Sequence, residues 1–369
     1  MILFRADANS SIGMGHVMWC LSIADAISTN TSFPTIVRGK ADIKFVLTDE
    51  TVADLIKSRG YEPIVLHTNY SHMESEIETW NELSDSIDAD LIIVDSYFVT
   101  ADYLSFLRDN IGFTAYIDDV LAFPYPVDVL VDYGAHITAT DYHRLYEGRE
   151  EPEFIFGMEY APLRAMFQDV PPKEQREEVK DVLLSTGGSD ELHIALSFVK
   201  YLCEHPSAYT YHILLGAMNQ DKLTIHALSD KMDNVVLHEN VQDMRGLICS
   251  MDVIVSAAGS TLYEICACGV PLITFSTADN QVPGATAFSS LGLAINIGDL
   301  REPKSRTVMS GTLDPSAIDR IVRVAKVLAE DMNTRVMMAT RMQSLIDGRG
   351  ASRLAKEMLN RVAKNIKSL

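Results

Sequence analysis

A histidine at the start of a predicted helix is the first residue whose position suits catalysis. Residues 4–26 read FRADANSSIGMGHVMWCLSIADA: a short strand, a turn of Asn, Ser and Gly, and a one-faced helical pattern that begins near His16. Gly13 and Gly15 would let the backbone approach a ligand. Imidazole has a pKa near 6.5, which a helix N-terminus lowers, so His16 could orient and deprotonate water. Alternatively, His16 only binds a backbone group.

A second candidate site lies in residues 255–281, VSAAGSTLYEICACGVPLITFSTADNQ, where a strand ends and a helix begins. Gly259 permits a close approach to the backbone. The amides and hydroxyls of Ser260 and Thr261 at the helix start suit a pyrophosphate, with help from the helix dipole. Glu264, one turn later, could accept hydrogen bonds from ribose hydroxyls. The spacing Thr261-x-x-Glu264 also fits a capping box, which many helices carry.

A second glycine turn, Gly187-Gly188-Ser189-Asp190, follows the strand pattern DVLLST. Alone, this sequence is ordinary turn chemistry and predicts no ligand. It nevertheless joins a strand to a helix in the same half of the chain as Gly259. The two turns together therefore predict a site for a nucleotide diphosphate.

These residues are positioned by strands and helices that alternate along the chain. The predicted strands are ILFRAD, IKFVLT, EPIVLH, DLIIVD, FTAYID and VDVLVD in the first half, then DVLLSTGG, YTYHILLG, NVVLHENV, DVIVSAAG, PLITFST and LAINIG. Helices are predicted to begin near His16, Glu50, Met73 and Ala101, and the chain is helical from about Pro315. Such alternation implies parallel sheets, so the predicted class is α/β, with two doubly wound Rossmann-like domains.

A composition break at FQDVPPKEQREEVK, residues 167–180, predicts a linker between these domains. We expect an N-terminal sugar-binding and catalytic domain over residues 1–170 and a nucleotide-binding domain over residues 180–345. A C-terminal helix over residues 346–369 could pack back on the N-terminal domain. Because ligands of doubly wound folds bind at the carboxyl ends of strands, the two domains are predicted to face a cleft.

The composition excludes several classes of function. A formal net charge of −20 argues against nucleic-acid binding, which needs clustered Lys and Arg, but permits a small anion at a helix start. No leader pattern or long apolar window is found, so we expect no membrane insertion and a cytoplasmic location. The cysteines are expected to be reduced, buried thiols: Cys20, Cys203, Cys249, Cys266 and Cys268. Cys266-x-Cys268 lacks a second pair at zinc spacing, and no metal or cofactor is expected.

The segments GGSD, SAAGSTLYEICACGVPLI and ADNQ resemble the nucleotide-binding half of glycosyltransferase B-type folds. This resemblance implies a UDP-sugar site in the second domain. It implies that Ser260 and Thr261 lie near the diphosphate and that Glu264 binds the ribose. The glycine turn with Gly187, Gly188 and Ser189 would add backbone contacts to the UDP.

The same resemblance implies contacts at the two ends of the ligand. The NVQDM stretch, residues 240–244, would lend backbone groups to the uracil, with Val241 and Met244 among the contacts. The amide of Asn280 could contact N-acetyl or hydroxyl groups of the sugar. Gln281 could do the same, or could cap the following helix.

The pattern RAD…IGMGHVMWCLSIA is more specific. Together with IIVDSYFV, YIDD and FGMEYAPLRAMF, it resembles the UDP-diacetamido-trideoxyhexose hydrolases of pseudaminic acid biosynthesis and the related spore-coat polysaccharide proteins, over roughly residues 1–300. The resemblance implies that His16 activates the water that attacks the anomeric carbon, since UDP leaves readily when amides bind its charge. The implied substrate-binding residues are Arg5, Asp7, Gly13, Gly15, Tyr97, Tyr160, Arg164, Asn280 and Gln281.

Further polar residues follow strands of the first half. Tyr97 could bond sugar or phosphate oxygens, or could be an ordinary half-buried aromatic residue. Asp95 and the pair Asp118 and Asp119 also end predicted strands. Paired carboxylates could bind a metal ion, but the resembled family is metal-independent, and such residues more often anchor loops.

Three functions fit these patterns. The favoured one is an inverting, metal-independent hydrolase that cleaves the sugar–UDP bond of a UDP-linked diacetamido-trideoxyhexose, in pseudaminic-acid-type nonulosonate or surface polysaccharide biosynthesis. A glycosyltransferase with a UDP-amino-sugar donor is the alternative, and a nucleotide-sugar-binding protein without chemistry is the third. The expected partner is the UDP-sugar itself, and the oligomeric state stays open. The chain differs from the family pattern at Asn9, at Trp19 and at Asp132–Tyr133, so the exact sugar also stays open.

Overall fold

Each half of the chain folds around its own sheet of parallel strands. The structure is a computed structural model that describes residues 1–9, 12–29, 42–84, 87–303 and 311–368. It divides into two units, which we call unit 1 (Met1–Ala165 with Gly348–Leu369) and unit 2 (Met166–Asp347).

Unit 1 contains a seven-stranded sheet. Its strands are β1 (Ile2–Ala6), β2 (Ile43–Leu47), β3 (Glu62–Val65), β4 (Leu91–Asp95), β5 (Phe113–Ile117), β6 (Val129–Asp132) and β7 (Glu153–Phe156). They are all parallel and lie in the order β3-β2-β1-β4-β5-β6-β7. The order reverses between β1 and β4, which is the position where doubly wound sheets bind their ligands.

Five helices of unit 1 connect these strands. They are α1 (Gly15–Thr29), α2 (Ala53–Ser58), α3 (Glu76–Ser84), α4 (Ala101–Asn110) and α5 (Ala139–Leu145). The central strands β1 and β4 are buried along their whole length, which is why their sequences read as continuous apolar runs. Arg5 is the exception within β1 and is discussed below.

Unit 2 repeats this plan with six parallel strands. They are β8 (Asp181–Ser185), β9 (Thr210–Leu214), β10 (Val235–His238), β11 (Val253–Ala257), β12 (Leu272–Ser276) and β13 (Ile295–Asp299). Their order is β10-β9-β8-β11-β12-β13, so the reversal lies between β8 and β11. The helices are α6 (Ile194–Glu204), α7 (Lys222–Ser229), α8 (Met244–Ser250), α9 (Thr261–Cys268), α10 (Gln281–Ser290), α11 (Ala317–Glu330) and α12 (Met332–Leu345).

The last helix returns the chain to unit 1. This helix, α13 (Gly350–Ser368), packs on α1. Its N-terminus packs closely against the segment that follows β7. A Cβ atom at Gly350 would be 2.0 Å from the carbonyl oxygen of Ala161. Arg353 donates from its guanidinium to the carbonyl oxygen of Glu159 at 2.8 Å. Unit 1 is therefore built from both ends of the chain.

The predicted fold class, α/β with two doubly wound sheets, is confirmed. All twelve predicted strands are present, but β7 was not predicted. It has four residues at the edge of its sheet and is only partly buried, so its sequence lacks the long apolar run of a central strand. Among the described residues, no helix combines the length and the apolar character that crossing a membrane requires.

Candidate active site

The carboxylate of Asp95 contacts His16, and the order of the strands in the sheet brings these two residues together. His16 is the second residue of α1, and its Nδ1 atom lies 2.6 Å from Oδ1 of Asp95, the last residue of β4. His16 is 8% exposed and Asp95 3% exposed. An ionised carboxylate only accepts hydrogen bonds, so Nδ1 of the neutral ring carries the proton and Nε2 keeps its lone pair. Nε2 is therefore the atom that can accept a proton from a ligand or a water molecule.

The pKa of His16 is raised above its ordinary value. Burial opposes protonation of the ring, but the charge and hydrogen bond of Asp95 outweigh it, and Asp119 and Asp7 add to the effect. The expectation that the helix N-terminus lowers this pKa is therefore wrong, because the nearby carboxylates act more strongly than the helix dipole. The carboxylates stabilise the charged form of the imidazole. Such stabilisation suits a residue that takes up a proton during a reaction.

A narrow crevice, which we call the His16 pocket, lies beside His16. It is lined by Asp7, Ile12, His16, Asp95, Ser96, Tyr97 and Phe98. These residues lie at the end of β4, at the start of α1 and in the segments that follow β1 and β4, the two strands between which the strand order reverses. The pocket thus lies where doubly wound sheets bind ligands.

Tyr97 and Asp119 extend this group of side chains. The ring of Tyr97 meets that of His16 edge-on, with centroids 4.5 Å apart, and 43% of Tyr97 is exposed. Its hydroxyl donates to Oδ2 of Asp119 at 3.2 Å. Burial and the neighbouring charge of Asp95 raise the pKa of Asp119 to about 6, although His16 opposes the shift. Asp119 is a second titratable group beside the imidazole, and nothing in its local sequence distinguished it from a loop anchor.

The two glycines before His16 leave open space. Gly13 has a φ of +75°, a conformation that favours glycine, and its amide donates to the carbonyl oxygen of Asn9 at 2.9 Å. Gly15 opens α1 with no such backbone requirement. A Cβ atom at either position would meet none of the described atoms within 4 Å. The approach of a ligand at Gly13 and Gly15 stays a prediction.

Arg5 differs from its predicted role. Its side chain has no exposed surface, and it donates to Oε2 of Glu76 at 2.9 Å and to Oδ2 of Asp7 at 2.6 Å. Tyr103 donates to the same Glu76 carboxylate at 2.7 Å. The backbone amide of Thr48 donates to Oδ1 of Asp7 at 2.8 Å. This burial contradicts direct contact between Arg5 and substrate; instead, Arg5 fixes Asp7 at the wall of the pocket.

Asp118 anchors a loop, in agreement with one of the two sequence interpretations. Its carboxylate accepts hydrogen bonds from the amides of Val120 and Leu121 and from the hydroxyls of Tyr125 and Tyr142, at 2.7–3.0 Å. Four donors fill the acceptor sites of a carboxylate, which leaves Asp118 a poor metal ligand. Within the described ranges, no group of three or more His, Cys, Asp or Glu residues is arranged to bind a metal ion.

Tyr160 and Arg164 lie apart from the His16 pocket. Tyr160 ends a short 3₁₀ helix, Met158–Tyr160, and the charged side chains that act on it include Glu357 and Arg361 of α13. Arg164 is half-buried four residues further along. Neither residue lines the pocket, so their predicted contact with substrate stays a prediction.

In unit 2, both predicted diphosphate turns follow strands next to the reversal point. Gly187–Ser189 follows β8 and Gly259–Thr261 follows β11, and these strands are neighbours. Gly187, with a φ of +90°, Gly188 and Gly259 are exposed, whereas Ser189, Ser260 and Thr261 are half-buried. The turns are therefore placed together at the edge where such sheets bind nucleotides.

The two helices that follow these turns have different N-termini. The amides of Ile194 and Ala195 at the start of α6 donate to the carboxylate of Asp190 at 3.0 and 2.9 Å. In α9 the N-cap is Ser260, which forms no side-chain capping bond, and Thr261 is already inside the helix. The capping-box interpretation of Thr261 and Glu264 is therefore wrong. The side chain of Ser260 therefore does not cap the first amides of α9, which can receive an anion.

The predicted uracil and sugar contacts lie in unit 2, on loops and at the starts of helices. Val241 lies between β10 and α8, Met244 begins α8, and both are half-buried. Asn280 is exposed after β12. The side-chain oxygen of Gln281 accepts from the amide of Thr277 at 2.8 Å and so stabilises the loop before α10. Only the amide nitrogen of Gln281 is left to contact a sugar.

The chain is similar in sequence to a UDP-sugar hydrolase and to a spore coat polysaccharide biosynthesis protein. It is 23% identical to the UDP-2,4-diacetamido-2,4,6-trideoxy-beta-L-altropyranose hydrolase of Campylobacter jejuni over 265 residues, which cover 71% of this chain and 86% of that protein. It is 24% identical to the spore coat polysaccharide biosynthesis protein SpsG of Bacillus subtilis over 157 residues, 42% of this chain and 44% of the relative. The resemblance predicted from the motifs is confirmed.

A third relative is an uncharacterised protein of Methanocaldococcus jannaschii, 22% identical over 286 residues, or 74% of this chain and 54% of that protein. The chain thus spans about half the length of this relative and of the Bacillus protein. No protein-family model matches the chain.

Solved structures with the same fold include glycosyltransferases and epimerases. The calicheamicin glycosyltransferase CalG4 has a TM-score of 0.64 at 17% identity, over 98% of both chains. The UDP-GlcNAc 2-epimerase of Neisseria meningitidis, solved with UDP-GlcNAc, has a TM-score of 0.62 at 14% identity, over 98% of this chain and all of that chain. The glycosyltransferase B-type fold is thereby confirmed.

Proposed function

We propose that this chain is an enzyme that acts on a UDP-sugar and that it hydrolyses the bond between the sugar and UDP. The observation that carries the proposal is the 2.6 Å contact between Nδ1 of His16 and Asp95, in a pocket lined by loops of the reversal point. A histidine oriented by a carboxylate is a suitable general base. The Campylobacter relative is named for such a hydrolysis.

In this mechanism, His16 activates the attacking water. Nε2 accepts a proton from the water while the water oxygen forms a bond to the anomeric carbon. The bond from that carbon to the phosphate oxygen breaks, and UDP leaves with the electron pair. Asp95 stabilises the imidazolium that forms, as the acidic member of a catalytic triad does. Attack on the face opposite UDP inverts the anomeric configuration.

Unit 2 would bind the UDP. The diphosphate would lie at the start of α9, near Gly259, Ser260 and Thr261, because backbone amides and the helix dipole favour an anion there. Glu264 would bind the ribose. Residues 240–244 would contact the uracil. Because the helix start offsets the charge of the leaving group, no divalent metal ion is needed in this proposal.

The proposed substrate is a UDP-linked diacetamido-trideoxyhexose of nonulosonate or surface polysaccharide biosynthesis. The names of the Campylobacter and Bacillus relatives support this class. Two of the positions that differ from the family pattern, Trp19 and Tyr133, contact each other edge-on with ring centroids 4.7 Å apart. If this aromatic pair borders the sugar, it selects among related hexoses, and a panel of UDP-sugars would reveal the preference.

A glycosyltransferase is the second candidate, because CalG4 shares the fold. One experiment separates the two: UDP release is measured with UDP-amino sugars, without an acceptor, in water enriched in heavy oxygen. A hydrolase releases UDP and places the heavy oxygen on the anomeric carbon of the sugar. UDP that forms only after an acceptor is added would indicate a transferase. The reaction is repeated with a chelator, and a rate lost to the chelator and restored by Mg²⁺ would contradict metal independence.

A further inference from the structure

The five cysteines of the chain have different environments. All are free thiols, and Cys20, Cys266 and Cys268 are buried as expected. Cys203 is exposed and Cys249 half-buried, so the expectation of buried thiols is wrong for these two. The reason is that Cys203 lies on the outer side of α6, whereas Cys249 lies at the edge of a cavity.

This cavity lies within unit 2 and has a volume of about 530 Å³. Its walls are the segment that opens unit 2, the helix α8 and the C-terminal end of α9. The lining residues are Met166, Val170, Pro171, Pro172, Lys173, Asp243, Arg245, Gly246, Cys249 and Cys268. Both Cys249 and Cys268 thus face a space large enough to admit a small molecule.

Polar contacts fix the walls of the cavity. Nζ of Lys173 donates to the carbonyl oxygen of Cys249 at 2.7 Å, near the end of α8. The guanidinium of Arg245 donates to the carbonyl oxygen of Met166 at 3.2 Å. The side-chain amide of Gln343 donates to the carbonyl oxygen of Ala267 at 3.2 Å, beside Cys268. The two cysteines are therefore carried by anchored helix ends.

The two thiols are hydrogen-bonded to each other, and cations lie beside Cys249. The hydrogen bond from Cys268, together with Lys173 and Arg245, lowers the pKa of Cys249 to about 7, although burial opposes the shift. The same hydrogen bond and burial raise the pKa of Cys268. One partner is thus stabilised as a thiolate and the other as a thiol, which is the arrangement of a reactive and a resolving cysteine.

We propose that Cys249 and Cys268 form a redox-active pair in this cavity, which hydrogen peroxide oxidises to an intramolecular disulfide. The thiolate of Cys249 attacks one oxygen of the peroxide; an S–O bond forms, the O–O bond breaks, and the departing hydroxide is protonated to water. The sulfur of Cys268 then attacks the sulfenic acid, an S–S bond forms, and the second oxygen leaves as water with the proton of Cys268. Two thiols are oxidised and one peroxide is reduced to two water molecules.

Oxidation of Cys249 and Cys268 would not require the proposed reaction with a UDP-sugar. The environments of Cys266 and Cys203 differ from that of this pair. Cys266 is separated from Cys268 by one residue, but it is fully buried and burial raises its pKa. Cys203 is accessible, and its described sulfur contact is with Met232 at 3.8 Å. Cys203 is therefore a matched control that is exposed without a thiol partner.

The first test uses the reduced wild-type chain. Iodoacetamide is added over a range of pH, and alkylation of each cysteine is followed by peptide mass spectrometry. Alkylation of Cys249 is expected to rise through a midpoint near 7 and, at pH 7, to be about three- to tenfold faster than that of an ordinary exposed thiol. Lys173→Gln and Arg245→Gln should each slow it, because they remove a nearby positive charge. Alkylation of Cys249 no faster than that of Cys203 would overturn the proposal.

The second test uses peroxide followed by blocking of the remaining thiols. Wild type and Cys203→Ser should each lose the mass of two hydrogen atoms. Both should yield a peptide in which a disulfide links Cys249 to Cys268, and a dithiol reductant should reverse this link. Cys268→Ser should instead leave a sulfenic acid on Cys249 that dimedone traps. Cys249→Ser should keep Cys268 reduced. Links that involve Cys203, only intermolecular links, or no link at all in a folded wild type would each contradict the pair.

Discussion

Nδ1 of His16 lies 2.6 Å from Oδ1 of Asp95, although the two residues are 79 positions apart in the sequence. The contact arises from the sheet: β1 and β4 pair in parallel, with Ala6 opposite Asp95, and α1 begins shortly after β1. The carboxyl end of β4 therefore meets the first turn of α1. This relationship gives His16 a defined proton donor site at Nδ1 and a free acceptor at Nε2.

The first prediction concerns His16→Asn. If Nε2 deprotonates water, kcat for UDP release should fall by about 10²- to 10⁴-fold, the range for loss of a general base. KM should change little, since the imidazole acts in the transition state and UDP is bound by unit 2 in our proposal. Steady-state kinetics and calorimetric titration with UDP would measure both quantities. His205→Asn, an exposed histidine of unit 2, is the control. Near-normal turnover in folded His16→Asn would return His16 to a structural role.

The second prediction concerns pH. A general base must be neutral, so kcat/KM of the wild type should fall as the pH drops below the pKa of His16, which neighbouring carboxylates place above the ordinary 6.5. Asp95→Asn removes the closest negative charge, so the acidic limb should move to lower pH. Its kcat should also fall, by about 10²-fold or more, because an amide can bind the wrong tautomer of the ring. A limb at an unchanged pH in Asp95→Asn would show that another group titrates.

The third prediction concerns Glu264. Because the helix α9 has Ser260 rather than Thr261 at its N-cap, Glu264 is not part of a capping box. Glu264→Ala should therefore weaken UDP binding, by about tenfold for the loss of hydrogen bonds to a charged group, whereas a purely structural role would lower stability and leave the affinity unchanged. Titration calorimetry and thermal unfolding would separate these effects. Asp190→Ala is the contrasting variant: it removes the cap of α6 and should lower stability by about 1 kcal/mol or more.

The sequence predicted the sheets better than the site. Short runs of apolar and β-branched residues made twelve of the described strands recognisable, whereas the four-residue strand β7 was not predicted. The glycine turns after β8 and β11 could be predicted because the residues of each turn are adjacent in the sequence. The partner of His16 was not, because the contact with Asp95 depends on strand order rather than on spacing along the chain. The sign of the His16 pKa shift was missed for the same reason.

The fourth prediction concerns Arg5, which the sequence assigned to substrate and the structure assigns to the core. Arg5→Met should destabilise unit 1 by about 3–5 kcal/mol, since Glu76 and Asp7 would be left as buried charges without their cation. Urea unfolding would measure the loss. Lys44→Met removes a partly exposed partner of Glu62 and should cost at most about 1 kcal/mol. A variant of Arg5 with unchanged stability but a raised KM would favour direct substrate contact after all.

The return of α13 to unit 1 has a consequence for biosynthesis on the ribosome. Domains generally fold as units in the order in which they are made, but unit 1 requires Gly350–Ser368, which are synthesised after all of unit 2. Until then α1, which carries His16, lacks the helix that covers it. Unit 2 has its whole sequence first and can complete its sheet earlier. The unit that carries His16 is therefore the last to mature, and a nascent chain that stops before residue 350 would be left with an exposed apolar face on α1.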